Sequence, residues 1–356
     1  MRIGNKNPIY VEENLLNIFK FLRYHIGTHQ KYKCLILADE LVASIYENEL
    51  NYLINYPYFN HVRLLKYNVD ENVKNIDNIK NIWDTLSNDK FNKKDLLISI
   101  GGGTISDIAG FASATFKRGI NLVIIPTTLL AMTDASIGGK NAINYKNIKN
   151  EIGTYYSPLF TYIYPNFLNS LPEIEILSGF TEIIKHALLN NKDSVREILN
   201  LDPRKLPPIS ILKKSIQFKH HIVRIDPNEK NRRKILNLGH TLGHCFESIR
   251  FSNHLPTSHG ICIAWGLQYT IKISEYLLNF PPYWSKKIIE WLQTWYGKPP
   301  KIKFNDLLPY LLQDKKNSDD KITFILLYAP GKPKIHKFNI QELKKIYDKC
   351  FHDFAS

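Results

Sequence analysis

Histidine is concentrated in one part of this sequence: six of the twelve histidines lie between His220 and His259. His240 and His244 are one helical turn apart, so they share a helix face, and His259 is expected to return from the following loop. Imidazole nitrogens are common ligands of zinc and related ions, so this region is a candidate metal site. The H-E-x-x-H pattern of metalloproteases is absent. A group of structural histidines is the alternative.

A carboxylate that can complete such a site lies in Glu182-Ile183-Ile184-Lys185. The spacing puts Glu182 and Lys185 on one helix face, where the carboxylate can bind a cation and the lysine can lie beside a substrate. Glu182 with two histidines would form an O,N,N site whose remaining positions stay open for substrate oxygens, as in catalytic centres. A surface ion pair is the alternative interpretation of Glu182 and Lys185.

Three successive glycines, Gly101-Gly102-Gly103, follow an apolar segment that ends at Ile100 and precede a helical pattern. Glycines let the backbone approach a ligand closely, and the N–H groups at a helix start bind phosphate. The turn is therefore interpreted as a phosphate cradle, although it matches neither G-x-G-x-x-G nor the Walker pattern. A strand-to-helix turn without a ligand is the alternative.

A second glycine turn, Gly138-Gly139-Lys140, offers an ammonium group and backbone donors to a phosphate. Asp134 precedes this turn and Lys149-Asn150 follows it, so the segment can also bind hydroxyl groups; a solvated polar loop is the alternative. Its closeness in sequence to the first glycine turn favours one shared cleft. Three further basic residues could bind an anionic substrate together with Lys140: Arg118, Lys219 and Arg233. Simple surface charge is the alternative for each of them.

The elements that position these groups are indicated by the spacing of apolar residues. This spacing changes near residue 172. Before it, apolar runs such as 34–38 and 96–100 alternate with helical segments such as 78–86, which predicts a parallel sheet covered on both faces. After it, apolar residues recur at helical spacing between Pro-Pro pairs. The elements predicted there are helices at 174–190, 209–223, 239–249 and 260–280 and one buried strand at 322–327. The fold class is therefore α/β, with domains at 1–172 and 173–356.

The composition of the 356 residues is that of a globular protein, with 44% hydrophobic and 22% charged residues. The net charge of +14 is dispersed, and the joint excess of Lys, Asn, Ile and Tyr indicates codon bias rather than a nucleic-acid partner. No apolar run reaches about 18 residues and the start lacks a signal peptide, so a cytoplasmic protein without membrane contact is expected. Four widely spaced cysteines are expected to be buried thiols: Cys34, Cys245, Cys262 and Cys350.

Taken together, these motifs resemble those of the 3-dehydroquinate synthases, a family within the sugar phosphate cyclase superfamily. The resemblance extends from about Asp70 to Ile335. The segments that carry it are, in order, GGGTISDIAGFASATFKRG, PTTLLAMTDASIGGKNAIN, KNEIG, LPE, GFTEIIKHAL, DPNEKNRRKILNLGHTLGH, HG and DKKN.

The resemblance implies a Rossmann-like N-terminal domain that binds NAD, a mainly α-helical C-terminal domain that binds metal and substrate, and an active site in the cleft between them. It further implies a homodimer with NAD and one divalent metal ion, zinc or cobalt, in each subunit. The implied reaction is a lyase step of the shikimate pathway, which turns 3-deoxy-D-arabino-heptulosonate 7-phosphate into 3-dehydroquinate and phosphate. It proceeds through transient oxidation by NAD, phosphate elimination, re-reduction, ring opening and an intramolecular aldol closure.

The resemblance also implies roles for individual residues. The metal ligands would be Glu182, His240 and His259, with His244 as an acid/base group rather than a ligand. The other groups implied in catalysis are Lys140, Lys185, Lys219, Arg233 and Asn237. The substrate groups are Asp134, Asn150, Lys315, Lys316 and, contributed across a dimer interface, Arg118. The NAD contacts are Asp39, Glu71 and Lys74 near the adenosine, Gly102, Gly103, Thr104 and Asp107 at the glycine turn, Thr127 and Thr128 near the nicotinamide, and Lys140 and Lys149.

Two positions depart from the family's pattern. Ile261 stands where the family usually has Glu, and bulky Trp265 follows, so the sequence predicts the loss of a hydrogen bond near His259 and a weakened metal site. Three alternatives to the synthase stay open: a sister cyclase acting on sedoheptulose 7-phosphate or glucose 6-phosphate, a metal- and NAD-dependent polyol dehydrogenase, and a non-catalytic basic binding protein of the same fold. Retention of Lys140 and His244 favours the dehydroquinate branch.

Overall fold

The computed structural model describes residues 1–28, 31–146, 148–256, 258–313 and 321–355. The chain divides into two compact units, Met1–Pro172 and Glu173–Ser356. Each unit has a hydrophobic core of its own, the first including Leu97 and Ile108 and the second including Phe246.

The first unit combines strands and helices in alternation. Its strands are β1 (Arg2–Ile3), β2 (Ile9–Val11), β3 (Tyr32–Asp39), β4 (Phe59–Tyr67), β5 (Leu96–Gly101), β6 (Asn121–Pro126), β7 (Lys140–Tyr145), β8 (Ile148–Tyr155) and β9 (Phe160–Ile163). Its helices are α1 (Ile18–Ile26), α2 (Glu40–Ile45), α3 (Glu47–Ile54), α4 (Ile76–Asn88) and α5 (Gly103–Thr115).

Parallel strands form the centre of the first unit's sheet, in the spatial order β4-β3-β5-β6-β9. β2 continues the sheet parallel to β9, and β1 pairs antiparallel with β2 at the edge. Residues Cys34 to Ala38 of β3 are fully buried, as a sheet covered on both faces requires. The strand order reverses between β3 and β5, and ligands of such doubly wound sheets bind at the carboxyl ends of the strands beside this switch point. The predicted α/β architecture with a parallel sheet is confirmed.

Helices α4 and α5 cover one face of this sheet. Ile79, Ile82 and Leu86 recur at helical spacing on α4 and share one core with Leu35 and Leu37 of β3. Since α4 contains all of the segment predicted as a helix at 78–86, that prediction is confirmed. The antiparallel hairpin of β7 and β8 is separate from the main sheet.

The second unit is mainly helical, as predicted. Its helices are α6 (Glu173–Asn190), α7 (Lys192–Leu199), α8 (Ile209–Ile225), α9 (His240–Ser252), α10 (His259–Leu278), α11 (Pro282–Tyr296), α12 (Phe304–Gln313) and α13 (Ile340–Ala355), and its strands are β10 (Ile322–Ala329) and β11 (Lys332–Phe338). Throughout the described residues of both units, the helices fall short of the length and apolar character that a membrane span needs.

The strand predicted at 322–327 is β10, but it is not alone. It pairs antiparallel with β11, which the sequence did not predict. The sequence of β11 contains Pro333 and three lysines, and most of its residues are not buried, so it lacks the apolar alternation by which a strand is identified.

All four cysteines are buried thiols, as predicted. Cys34 lies on β3 in the first unit, whereas Cys245, Cys262 and Cys350 lie on three helices of the second unit. Burial, together with the nearby Asp95 carboxylate, raises the pKa of the Cys34 thiol well above its usual value. Burial likewise raises the pKa of the Cys350 thiol to about 12. These two thiols are therefore protonated and unreactive in the folded chain.

Candidate functional site

The proposed metal ligands lie on three helices of the second unit: Glu182 lies on α6, His240 begins α9 and His259 begins α10. The Glu182 Oε1 atom lies 3.6 Å from His240 Nε2. One ring nitrogen each of His240, His244 and His259 lies within 4.8 Å of the others. His259 is thus the first residue of a helix, and not part of a loop as expected from the sequence.

Glycines allow these helices to approach closely enough. A Cβ atom on Gly260 would lie 2.1 Å from the carbonyl oxygen of Ser178 on α6, and the Gly260 N–H donates to the Ser178 hydroxyl at 3.1 Å. Ser178 is one helical turn before Glu182, so this contact brings the start of α10, with His259, to the part of α6 that carries Glu182. On α9, a Cβ atom on Gly243 would clash with Ile263 of α10.

The donor set fits a divalent transition metal. Two ligands about 2.0–2.1 Å from a tetrahedral zinc ion are separated by about 3.3 Å, close to the 3.6 Å between Glu182 Oε1 and His240 Nε2. Carboxylate and imidazole ligands suit zinc and cobalt. The ring of His244 lies 5.2 Å from that of His240 and 5.8 Å from that of His259, so a set of three histidines is also within reach of one ion.

Hydrogen bonds orient two of these imidazoles. The Nδ1 atom of His240 lies 3.1 Å from the carbonyl oxygen of Leu238, and the Nδ1 atom of His259 lies 2.9 Å from Glu247 Oε2. The sequence predicted the loss of a hydrogen bond at His259 because Ile261 replaces the family's Glu. Ile261 indeed provides no acceptor, but Glu247 of α9 contacts the ring instead, so His259 has a carboxylate partner.

Trp265, the bulky residue noted in the sequence, packs against the helical core of the second unit. Its indole N–H donates to the carbonyl oxygen of Tyr296 at 2.9 Å. Its ring lies edge-on to Phe246, and the guanidinium of Arg250 lies 5.5 Å from the ring centroid. Arg250 in turn donates to the carbonyl oxygen of Pro256, in the segment between α9 and His259.

Lys185 forms a buried ion pair with Glu182 on the same face of α6. Both side chains are only 1% exposed, which excludes the surface ion pair considered from the sequence. A buried carboxylate is costly unless a cation compensates it, and this lysine supplies that cation. Lys219 on α8 is also buried, with 5% exposure.

A carboxylate that the sequence analysis did not single out, Asp226, shapes the segment that carries Arg233. It accepts the backbone N–H groups of Lys230, Asn231 and Arg233 at 2.7–3.0 Å. Burial acts to raise the pKa of Asp226, but these three donors outweigh it and hold the pKa below its usual value. The signal in the sequence was an Asp-Pro pair directly after an apolar helical pattern.

Arg233 and Asn237 are each held by a neighbour in this segment. The Arg233 guanidinium is buried and donates to the carbonyl oxygen of Pro227 at 2.6 Å. The Asn237 amide donates to Glu229 Oε1 at 2.8 Å, which makes Glu229 a second group whose role the sequence analysis missed.

In the first unit, the first glycine turn lies at the carboxyl end of β5, where α5 begins at Gly103. A Cβ atom on Gly102 would lie 3.2 Å from the Thr128 side chain, and the Thr127 N–H donates to the Gly101 carbonyl at 3.0 Å. The turn and the threonine pair are therefore adjacent. Thr104 lies in the first turn of α5, whose N–H groups suit a pyrophosphate.

Lys74 contacts two other predicted residues: Asp107, which like Lys74 is expected to bind NAD, and Asn150, which is expected to bind the substrate. Its ammonium lies 2.6 Å from Asp107 Oδ2 and also donates to the side-chain oxygen of Asn150. The backbone of Lys74 accepts the N–H of Asn144 at 2.7 Å, and the Asn144 side chain accepts the N–H of Asn150 at 2.9 Å. The start of α5 is thereby tied to the β7–β8 hairpin.

The second glycine turn leads directly into this hairpin. Gly138 and Gly139 have φ angles of 113° and 66°, which favour glycine, and Lys140 is exposed as the first residue of β7. Asn141 stabilises the turn because its amide donates to the carbonyl oxygens of Gly139 and Tyr156 at 2.9 and 3.0 Å.

Five further predicted residues lie in the first unit. Asp134 lies in a π-helical turn at Ala131–Ala135, Lys149 is exposed on β8, and Arg118 is exposed with a φ angle of 63°. Asp39, at the carboxyl end of β3, accepts the N–H groups of Leu41 and Val42 and so caps α2. Glu71 lies in a short 3₁₀ turn, Glu71–Val73, whereas Lys315 and Lys316 lie outside the described residues.

Two family models match the chain in succession. The model of 3-dehydroquinate synthase N-terminal matches residues 64–178, and that of 3-dehydroquinate synthase C-terminal matches residues 179–317. The two matches together span well over half of the chain.

Individual relatives extend this finding. The chain is 34% identical to the 3-dehydroquinate synthase of Parabacteroides distasonis over 335 residues, which are 91% of this chain and 90% of the relative. It is similar to the structure of 2-deoxy-scyllo-inosose synthase complexed with carbaglucose-6-phosphate, NAD+ and Co2+, with a TM-score of 0.82, 23% identity and coverage of 98% of this chain and 99% of that chain. A 2-epi-5-epi-valiolone synthase from Streptomyces hygroscopicus with NAD+ and Zn2+ bound gives a TM-score of 0.81, 19% identity and coverage of 98% of each chain. The two structures share the fold of this chain.

Proposed function

The chain belongs to the 3-dehydroquinate synthase family, and from this membership we propose that it converts 3-deoxy-D-arabino-heptulosonate 7-phosphate into 3-dehydroquinate and phosphate. This would make it an NAD- and metal-dependent lyase of the shikimate pathway. The observation that carries the proposal is the juxtaposition of the buried Glu182 carboxylate with His240 on a neighbouring helix, 3.6 Å apart. Such a pair suits a metal ion that binds substrate oxygens.

The proposed ligands of the divalent metal, zinc or cobalt, are Glu182, His240 and His259. Support comes from the short distance between Glu182 and His240, from the closeness of His240 to His259, and from the two structural relatives, whose names state NAD+ with Co2+ or Zn2+. NAD would lie on the glycine turn at the start of α5, beside the switch point of the sheet. The chemistry supplied there is Lewis acidity from the metal and reversible hydride acceptance from NAD.

The protein's own groups would hold the substrate by its two charged ends. Lys140 and Asn150 would bind the phosphate, together with Asn237, Lys315 and Lys316. The buried cations Lys219 and Arg233 would bind the carboxylate, since charge-assisted hydrogen bonds are strong where water is excluded. Asp134 would bind the ring hydroxyls.

His244 would exchange protons with the substrate rather than ligate the metal. Its ring is half-buried and lies beside the rings of His240 and His259. Imidazole transfers protons near neutral pH, which suits an acid/base group in a reaction that removes and replaces protons. Lys185, in contact with Glu182, would lie beside the reacting part of the substrate.

We place the enzyme in the cytoplasm as a homodimer. Four buried thiols are typical of a reducing compartment. A second subunit would receive Arg118, which is exposed at the end of α5 and so can reach a neighbouring molecule. Light scattering of the purified chain measures the oligomeric state directly.

Phosphate release from 3-deoxy-D-arabino-heptulosonate 7-phosphate tests the proposal, with catalytic NAD and zinc or cobalt present. Stoichiometric phosphate without net NADH, abolished by EDTA, is expected, and added dehydroquinase should convert the product to an ultraviolet-absorbing compound. Net NADH would instead indicate a dehydrogenase. Turnover of sedoheptulose 7-phosphate or glucose 6-phosphate alone would contradict the substrate and indicate a sister cyclase.

A further inference from the structure

Glu247 lies on α9, on the same helix as two of the clustered histidines and seven residues after His240. Its Oε2 atom is 2.9 Å from Nδ1 of His259. The two side chains are 17% and 30% exposed, so the contact is shielded from bulk water without being fully buried.

This hydrogen bond determines which nitrogen of His259 is available to a metal. An ionised carboxylate only accepts hydrogen bonds, so the proton of the neutral imidazole must reside on Nδ1. Nε2 then keeps its lone pair and becomes the ligating atom. His240 is held in the same way, because its Nδ1 faces the carbonyl oxygen of Leu238, which also can only accept.

The contact also fixes the direction of the ring. Gly260 presses the start of α10 against Ser178 of α6, which sets the position of the His259 backbone but leaves its side-chain rotation open. The carboxylate of Glu247 removes that freedom. At the position where the resembled family has Glu, this chain has the half-buried Ile261, which provides no acceptor.

We propose that Glu247 is a positioning residue of the metal centre, which holds His259 in the tautomer and orientation that present Nε2 to the metal. The inference rests on the proposed function only through the assignment of His259 as a ligand. Carboxylates that accept from a metal-bound histidine typically contribute about 10- to 100-fold to metal affinity.

Zinc affinity of the full chain tests this inference without any turnover. Metal-stripped protein is titrated with Zn2+ in competition with a chromogenic chelator. Glu247→Ala is expected to raise the zinc dissociation constant by about 10- to 100-fold. Glu247→Gln keeps the length of the side chain and an accepting oxygen, so it should retain most of the affinity.

Glu247→Asp distinguishes the effect of the position of the carboxylate from the effect of its charge. It keeps the carboxylate but withdraws it by one methylene group, so zinc affinity should fall even though the charge is unchanged. The matched control is Glu275→Ala on α10, which removes a carboxylate of similar exposure, 23%, that pairs with Lys272. This control should bind zinc like the parent chain.

Two results would overturn the inference. One is parental zinc affinity in both Glu247→Ala and Glu247→Asp, with unchanged melting temperatures of the metal-free proteins. The other is a parent chain that binds neither zinc nor cobalt. Zinc binding that depends on Glu247 in a chain that fails to turn over the proposed substrate would refute the proposed function and leave the inference standing.

Discussion

The two units of the molecule build their candidate ligand groups in opposite ways. In the first unit the groups lie on turns and at the ends of strands: the glycines after β5, Asp39 after β3 and the exposed Lys140 at the start of β7. In the second unit they are buried side chains on packed helices, of which Glu182 and Lys185 are each 1% exposed. Buried charge is thus central to the second set, whereas in the first it is confined to Lys74, which is 5% exposed and pairs with Asp107.

This difference predicts how stability and function are coupled in each unit. An exposed side chain on a turn can be removed without disturbing a core, so its loss should affect ligand binding alone. A buried ion pair cannot lose one member without leaving the other in a medium of low polarity. Substitutions in the helical site should therefore change both folding and function, whereas substitution of an exposed turn residue without a structural contact should change function only.

The strongest test of this coupling is Glu182→Gln. It removes the proposed ligand and leaves Lys185 without its carboxylate, so we expect phosphate release to fall at least about 1,000-fold and stability to fall by about 3 kcal/mol. Activity assays and urea unfolding measure the two effects. A variant that lost activity but unfolded like the parent would show that the buried pair does not contribute to folding.

Lys140→Ala should lower activity without lowering stability. Loss of this phosphate-binding group is expected to lower turnover by about 100-fold or more, because positioning of the substrate phosphate is lost. The melting temperature should stay unchanged, since Lys140 is exposed. Lys146→Ala, on the same hairpin, is the control and should turn over normally; a near-parental rate of Lys140→Ala would refute the prediction.

Gly260→Ala tests the helix contact rather than the ligands. The added methyl group must displace the α6 backbone at Ser178, so stability should fall by about 1–3 kcal/mol and zinc affinity should fall with it. At Gly297 an added Cβ atom meets nothing within 4 Å, although the φ angle of 74° strains it. Gly297→Ala should therefore cost stability with no change in zinc affinity, and equal zinc affinity of the two variants would contradict the role of Gly260.

The smallest effect is expected at Asp226. Its pKa lies below the unfolded value of about 3.9, so its contribution to stability is present above that pH and is lost as the pH falls through the folded pKa. Asp226→Asn should abolish this part of the acid-side loss, which unfolding at pH 7 and below pH 4 measures. At pH 7 it should raise KM by about tenfold at most through Arg233, with little change in kcat.

The sequence predicted those parts of the molecule that depend on local chemistry. The glycine turn after β5 and helix α4 follow from residues that are neighbours in the chain. The burial of Glu182 and Lys185 did not follow, because a spacing of three residues is identical on an exposed face and on a packed face. Only the packing of other helices, such as α8 and α10, against α6 decides between them.

Contacts between helices likewise could not be predicted from the sequence. The hydrogen bond from His259 to Glu247 depends on how α9 and α10 cross, which Gly243 permits by its lack of a side chain. The sequence showed the absence of Glu at Ile261 but could not show that a carboxylate of another helix contacts His259. Strand β11 was missed for a related reason, since its pairing with β10 and not its composition makes it a strand.

Because buried thiols occur in both units, the rate of thiol labelling can measure how fast each unit opens. Cys34 reports on the first unit, because a thiol reagent reaches it only when the sheet around β3 opens. Cys350, buried on α13, reports on the second unit in the same way. Mass-resolved labelling kinetics of these two residues would therefore measure the opening rates of the two units separately in one unmodified sample, without a fluorophore or a substitution.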